Sequence, residues 1–310
     1  MRLPVLILAC LPAAAADIRL ILHADDFGMS HSVNRAIIEM LEKDAVSSAS
    51  IMMPCPWVPE AAAYARQHPQ KDIGLHLTLN SEWKTLRWGP LAPRDRVPGL
   101  LDPEGYLWPA VAGTASRASA REVEAELRAQ IEHARLLGIR FTHLDTHMGT
   151  LYARADYFQV FEKLGREYGV PILRVKPSEQ AAAQAPPDVR KYLLDNEERF
   201  RAEGVFRLDS LLPDPARGAK THEERRAAYH AALRALTPGV HMIILHPGFE
   251  DPELKGATAG AAQREADYRI FLEPETRELI RRLGIRLAGW QDVAPGAQRH
   301  VPATAGGAIM

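Results

Sequence analysis

Apolar and polar positions alternate between two periods along most of the chain. Short apolar runs recur at 18–24 (IRLILHA), 47–53 (SSASIMM), 72–79 (DIGLHLTL), 141–147 (FTHLDTH), 171–175 (PILRV), 205–212 (VFRLDSLL), 240–246 (VHMIILH) and 285–290 (IRLAGW). Their length and near-continuous apolarity predict strands buried on both faces. Between them the spacing changes. Val33, Ala36, Ile37, Met40 and Leu41 recur at helical intervals within 32–44, which predicts an amphipathic helix. Ser119-Ala-Arg-Glu122 and Thr221-His-Glu-Glu224 read as capping boxes opening two more helices. Gly138, Gly169 and Gly284 each precede a β-like run. They are placed where a left-handed helix C-cap favours glycine.

Repeated strand–helix–strand units imply parallel strands joined by crossover helices. Seven or eight such units in about 290 residues predict a (β/α) barrel, similar to a TIM barrel. An open doubly wound sheet is the alternative. No G-x-G-x-x-G follows the first strand and no Walker A pattern occurs, so neither nucleotide fingerprint is present. Two stretches break the rhythm and read as insertions. Residues 81–118 carry Trp83, Trp88, Tyr106 and Trp108 among several prolines and glycines; residues 176–203 are rich in alanine, proline and charge. The first predicts either an aromatic surface for a ring-shaped ligand or packing against the barrel wall.

Composition adds bounds. The 310 residues are 46% hydrophobic and 25% charged with a formal net charge of −1. This fits a globular chain with a sizeable core and offers no basic surface for nucleic acid or anionic membrane. The first 16 residues, MRLPVLILACLPAAAA, stand apart. A short apolar stretch followed by small residues predicts a signal peptide cut near Ala14 to Ala16, and hence an exported, periplasmic or secreted protein. Only Cys55 would then remain, which excludes an internal disulfide. No other stretch predicts a membrane span. The expected organisation is a leader over 1–16, one domain over 17–295 and a flexible tail over 296–310. The pattern leaves the oligomeric state open, a homodimer included.

The chemistry lies at the strand ends, where parallel α/β folds place their sites. The first strand ends in Asp25-Asp26, the third carries His76, and the fourth runs His143-Leu-Asp145-Thr-His147. Arg174 lies on the fifth, and the seventh ends in His246-Pro247-Gly248. Buried charge is costly unless paired or metal-bound, so this recurrence at one end of a sheet points to a site. Asp26 and His76 with a histidine of the fourth strand offer two imidazoles and a carboxylate for one divalent metal. His143, Asp145 and His147 share a face, so spacing leaves both histidines open. Two nitrogens and one oxygen suit Zn²⁺, and open water positions also allow Mg²⁺. Strand alternation would turn Asp25 and Asp26 to different sides.

These residues resemble the YdjC-like carbohydrate deacetylases. The resemblance is carried by HADDFGMSHSVNRAI (23–37), VSSASIMM (46–53), GLHLTLN (74–80), THLDTHMG (142–149), LRVK (173–176) and HPG (246–248). It implies an irregular (β/α) barrel that removes N-acetyl groups from saccharides with a divalent metal. By resemblance, Asp26, His76 and His147 are the metal ligands, Asp25 the catalytic base and His246 the general acid. Arg174 would orient the base or the substrate. The resemblance gives His23 no part in the chemistry, and its expected role is structural. Asp145-Thr-His147 is followed here by Met-Gly-Thr, where members acting on chito-oligosaccharides often carry further histidines, so the neighbouring subsite differs. Two other functions fit parts of the pattern. A non-haem Fe(II) oxidoreductase uses the same ligand types, and a non-catalytic glycan-binding protein would use the Trp-rich insert without needing Asp25 and His246.

Overall fold

The computed structural model describes residues 17–176 and 185–294. The expected leader, the expected tail at 296–310 and residues 177–184 of the second insertion lie outside them. The described strands are β1 (Ile18–Phe27), β2 (Ser48–Ile51), β3 (Ile73–Leu77), β4 (Leu144–Thr146), β5 (Ser210–Leu212), β6 (Gly239–Leu245) and β7 (Arg286–Leu287). All their pairings are parallel. The order is β4-β3-β2-β1-β6-β5, with β7 paired to β1.

β1 is the axis of the sheet. It pairs with β6 from Ile18 to Ala24, with β7 at Arg19 and Leu20, and with β2 from His23 onward. Flanked by neighbours on both edges and covered on both faces, it is buried at every position except Arg19. That burial is why its sequence is almost continuously apolar until the carboxylates.

The sheet is curled and its regular ladders stop at β4 and β5, leaving a half-barrel. Isolated bridges Leu144–Ile172 and Val175–Leu208 span the gap. The expected strand at 171–175 is therefore reduced to two single pairings. Pro171 has no N–H to donate to a ladder, although its carbonyl still accepts from Leu144 N at 3.0 Å. The result is an irregular α/β barrel-like fold, as expected.

Helices cover the outside. They begin with α1 (His31–Glu42), α2 (Val58–Gln67), α3 (Val111–Arg117), α4 (Ala120–Leu136) and α5 (Ala155–Tyr168). α1 buries Val33, Ala36, Ile37, Met40 and Leu41, the stripe read from the sequence. Both capping boxes form, at Ser119–Glu122 and Thr221–Glu224. Gly138, Gly169 and Gly284 all take the left-handed conformation, at φ +72°, +65° and +66°.

The Trp-rich insert resolves in favour of packing. Trp88 is buried and its indole N–H donates to Asn80 O at 2.8 Å. Trp108 donates to Gly99 O at 2.9 Å, with the Arg117 guanidinium 4.2 Å over its ring. The Glu126 carboxylate of α4 accepts from Leu91 N and Ala92 N at 3.0 and 2.8 Å, tying the insert to the barrel.

Candidate active site

The mouth of β1 departs from regular strand geometry at the two carboxylates. The β1–β2 register shifts between Ala24 and Phe27, and Asp26 takes φ +70°. Left-handed backbone is uncommon for a residue with a Cβ, and such outliers gather at functional sites. The turn that follows holds this conformation. Met29 N donates to Asp26 O, and Gly28 N donates to Asn34 Oδ1 at 2.6 Å. The consequence corrects the expected alternation: the bulge lets both carboxylates face one site. His76 Nε2 lies 3.6 Å from Asp25 Oδ2 and 3.7 Å from Asp26 Oδ1.

β3 supplies His76, and the residue following β4 supplies His147. Asp26 Oδ1, His76 Nε2 and His147 Nδ1 form a small triangle with sides of 3.7, 3.5 and 3.2 Å. Metal–ligand bonds of about 2.0–2.2 Å at tetrahedral angles separate ligand atoms by about 3.3–3.6 Å. The triangle fits a divalent ion, and Asp26 Oδ1 is buried with no hydrogen-bond partner. Each imidazole is oriented from its other nitrogen. Asp145 Oδ1 lies 2.7 Å from His76 Nδ1, and Glu82 Oε2 lies 2.9 Å from His147 Nε2. Carboxylates placed in this way fix the tautomer and raise ligand basicity.

The electrostatics follow from this crowding. Burial works against the Asp26 charge, but Arg264 and His147 outweigh it and hold the carboxyl well below the usual range. Arg264 Nη2 sits 2.6 Å from Asp26 Oδ2, and its guanidinium lies over Trp83 at 5.1 Å. Burial also opposes charge on His147, yet Glu82 and Asp26 raise it to about 10. His76 is raised in the same way by Asp25 and Asp145.

Asp25 and His246 complete the arrangement. His246 Nε2 is 3.8 Å from Asp25 Oδ2, and the imidazole is 37% exposed. Its backbone N–H donates to Asp267 Oδ2 at 3.1 Å, and Asp267 is itself held by Arg225 and Tyr229. A cavity of about 570 Å³ opens beside it, lined by His246, Arg264, Gln263, Lys220 and Asp214 among others.

The structure does not bring Arg174 to Asp25. Arg174 pairs with the buried Glu162 at 2.5 Å and lies 4.2 Å over the Phe200 ring. The single-bridge geometry of 171–175 leaves it on that side, where it lines a different cavity with Tyr152 and His241. His143 is not among the three atoms of the triangle. It stacks on Trp290 at 4.6 Å, and burial lowers its pKa. Sequence reasoning missed Glu82 and Arg264. Glu82 carried a usable signal, being a carboxylate two residues beyond the GLHLTLN stretch. Arg264 carried none, because it arrives from a helix 238 positions away from Asp26.

These features define a half-barrel α/β protein whose strand mouths bring together histidines and aspartates able to hold a divalent metal ion. The chain belongs to the YdjC-like protein family, whose model matches residues 19–282. It is 32% identical to the carbohydrate deacetylase of Thermus thermophilus over 262 residues, 84% of this chain and 89% of that one. It is 31% identical to carbohydrate deacetylase 1 of Listeria innocua over 279 residues, 89% of this chain and 100% of that one. A crystal structure from Enterococcus faecalis V583 superposes with a TM-score of 0.74 at 27% identity, covering 90% of this chain and 99% of that one.

Proposed function

We propose that this protein is a metal-dependent carbohydrate deacetylase that hydrolyses the N-acetyl group of an amino sugar or oligosaccharide. One observation carries the reading: the Asp26, His76 and His147 triangle has a carboxylate, Asp25, and a half-exposed imidazole, His246, beside it. The family relatives described as carbohydrate deacetylases support the substrate class. The polar cavity next to His246 is of a size to take a hydroxyl-rich ring.

Asp26 Oδ1, His76 Nε2 and His147 Nδ1 would hold one divalent ion, Zn²⁺ or Mg²⁺. When bound, such an ion acidifies a water and polarises an acyl oxygen. Asp25 accepts the proton of the attacking water. His246, at the cavity edge, gives a proton to the departing nitrogen, because an amine cannot leave as an anion. Arg264 pairs with Asp26 Oδ2 and keeps that carboxylate in place, which would leave Oδ1 for the ion. The same ligand types serve Fe(II) oxygenases, but the acid–base pair Asp25 and His246 suits hydrolysis and has no part in oxygen activation. Among the described residues, no helix is long and apolar enough to cross a membrane. The reading includes export through the leader at 1–16, with 17–295 as one domain; N-terminal sequencing of the mature protein checks the cleavage.

Purified protein should release acetate from members of a panel of N-acetylated saccharides and stop when the metal is chelated. Asp25→Asn should lower kcat by about 100-fold or more with metal still bound. Full activity in that variant would sink the assignment of the base.

A further inference from the structure

No cation reaches Asp25 from Arg174, yet Asp25 Oδ1 does not face empty space. His23 Nε2 lies 3.2 Å from it and 2.9 Å from Asp145 Oδ2. His23 is fully buried and stands on β1 two residues before Asp25, on the same side of the strand. Its other nitrogen, Nδ1, is 2.9 Å from Ser48 Oγ. Ser48 Oγ in turn donates to Asp72 Oδ1 at 2.7 Å. A hydroxyl has one proton to give. Since Ser48 gives its proton to a carboxylate, its oxygen accepts from His23 Nδ1–H. Nε2 has the Ser50 hydroxyl at 2.9 Å and, at 3.2 and 2.9 Å, two buried carboxylate oxygens that find no other hydrogen-bond partner, so the charges around it favour a proton there over a lone pair. An accepting hydroxyl at Nδ1 and two carboxylates at Nε2 together favour a ring protonated on both nitrogens.

We propose that His23 is a resident imidazolium that positions Asp25 and Asp145 together, taking the place the sequence suggested for Arg174. The two carboxylates it joins have different partners. Asp145 orients His76 from Nδ1, and Asp25 faces the acid–base side of the site with His246. One buried cation thus locks the metal-ligand support and the proton acceptor to the same point. His23 touches neither metal nor substrate in this arrangement, so it is a positioning residue. The surroundings favour its charge. Burial opposes it, but Asp145 and Asp25 raise the ring to about 9. The adjacent His143, 5.2 Å away between ring centres, is depressed by burial and adds no competing charge. This role rests on the deacetylase reading only for the function of Asp25.

Two measurements on the metal-loaded protein test it. In ¹⁵N-histidine NMR at pH 8, wild-type His23 should show two protonated ring nitrogens, assigned by their loss in His23→Gln. A neutral ring would overturn the proposal whatever the enzyme does, and this readout needs no activity. In kinetics, His23→Gln should lower kcat by about 100-fold, with KM and metal stoichiometry within twofold of wild type. His23→Asn should behave alike. A kcat within twofold of wild type, or a loss explained by lost metal, would overturn the positioning role. If the wild type releases no acetate from any saccharide, the deacetylase reading fails, and the NMR result still decides the charge on His23.

Discussion

Single side chains in this site stand in pairs, and each pair divides one task between a proposed ligand and its support. His76 has Nε2 free for the proposed metal position because Asp145 occupies Nδ1; His147 has Nδ1 free because Glu82 occupies Nε2. The opposite choice of nitrogen in the two rings follows from where the carboxylates sit, since each ring has one nitrogen left to offer. Asp145→Asn should therefore weaken metal affinity by about 10–100-fold. Titration calorimetry with Zn²⁺ checks this, and an unchanged affinity would remove Asp145 from its orienting role. Much of this scale was legible in sequence. His76, His147, Asp25, Asp26 and His246 stand at strand ends where buried charge demands a use. The partners were less legible, because Glu82 and Arg264 lie in segments whose local pattern shows only a loop and a helix face.

Elements decide which residues can meet. The bulge at Asp25 and Asp26 bends β1 so that neighbours in sequence become neighbours in the site. The insert after β3 has its own internal tie. Asp102 accepts from Arg87 Nη2 at 2.6 Å and from Glu104 N and Tyr106 N at 2.9 and 3.0 Å. Burial works to raise the Asp102 carboxyl, but Arg87 and those two N–H groups outweigh it and hold it below its ordinary range. A carboxyl depressed in the folded state binds fewer protons there than in the unfolded chain. Its stabilisation is present above the unfolded value of about 4 and is lost as pH falls through the depressed folded value. On acidification, amides of 81–118 should lose hydrogen-exchange protection before those of β1 and β6. Asp102→Asn should abolish that separate step. Simultaneous loss across the sheet in the wild type would show that Asp102 does not hold the insert.

Across the whole molecule, the three proposed ligands come from β1, β3 and the segment after β4, so a bound ion ties together parts of the chain 50 and 71 residues apart. Anything that binds only the folded state adds stability by mass action, about 2.7 kcal/mol at 100 times Kd. Adding Zn²⁺ to chelator-treated protein should raise Tm by several degrees, and Asp26→Asn should lose most of that gain. A metal-independent Tm in the wild type would contradict a site assembled from separate strands. The curled sheet makes the assembly possible, because curvature brings the mouths of β1, β3 and β4 toward one centre.

The sequence by itself determined the parallel strand–helix order, the capped helix ends and the strand-end residues that could hold a metal. These follow from periodicity and local backbone chemistry, which act within a few residues. Only the tertiary structure decided that Asp25 and Asp26 share one face, that Arg174 turns to Glu162, and that His23 stands behind the proposed base. Those outcomes depend on a bulge, on the loss of a regular strand at 171–175 and on groups brought together by folding. No local pattern encodes which buried partner a charged side chain finds, because that choice is made by the sheet as a whole.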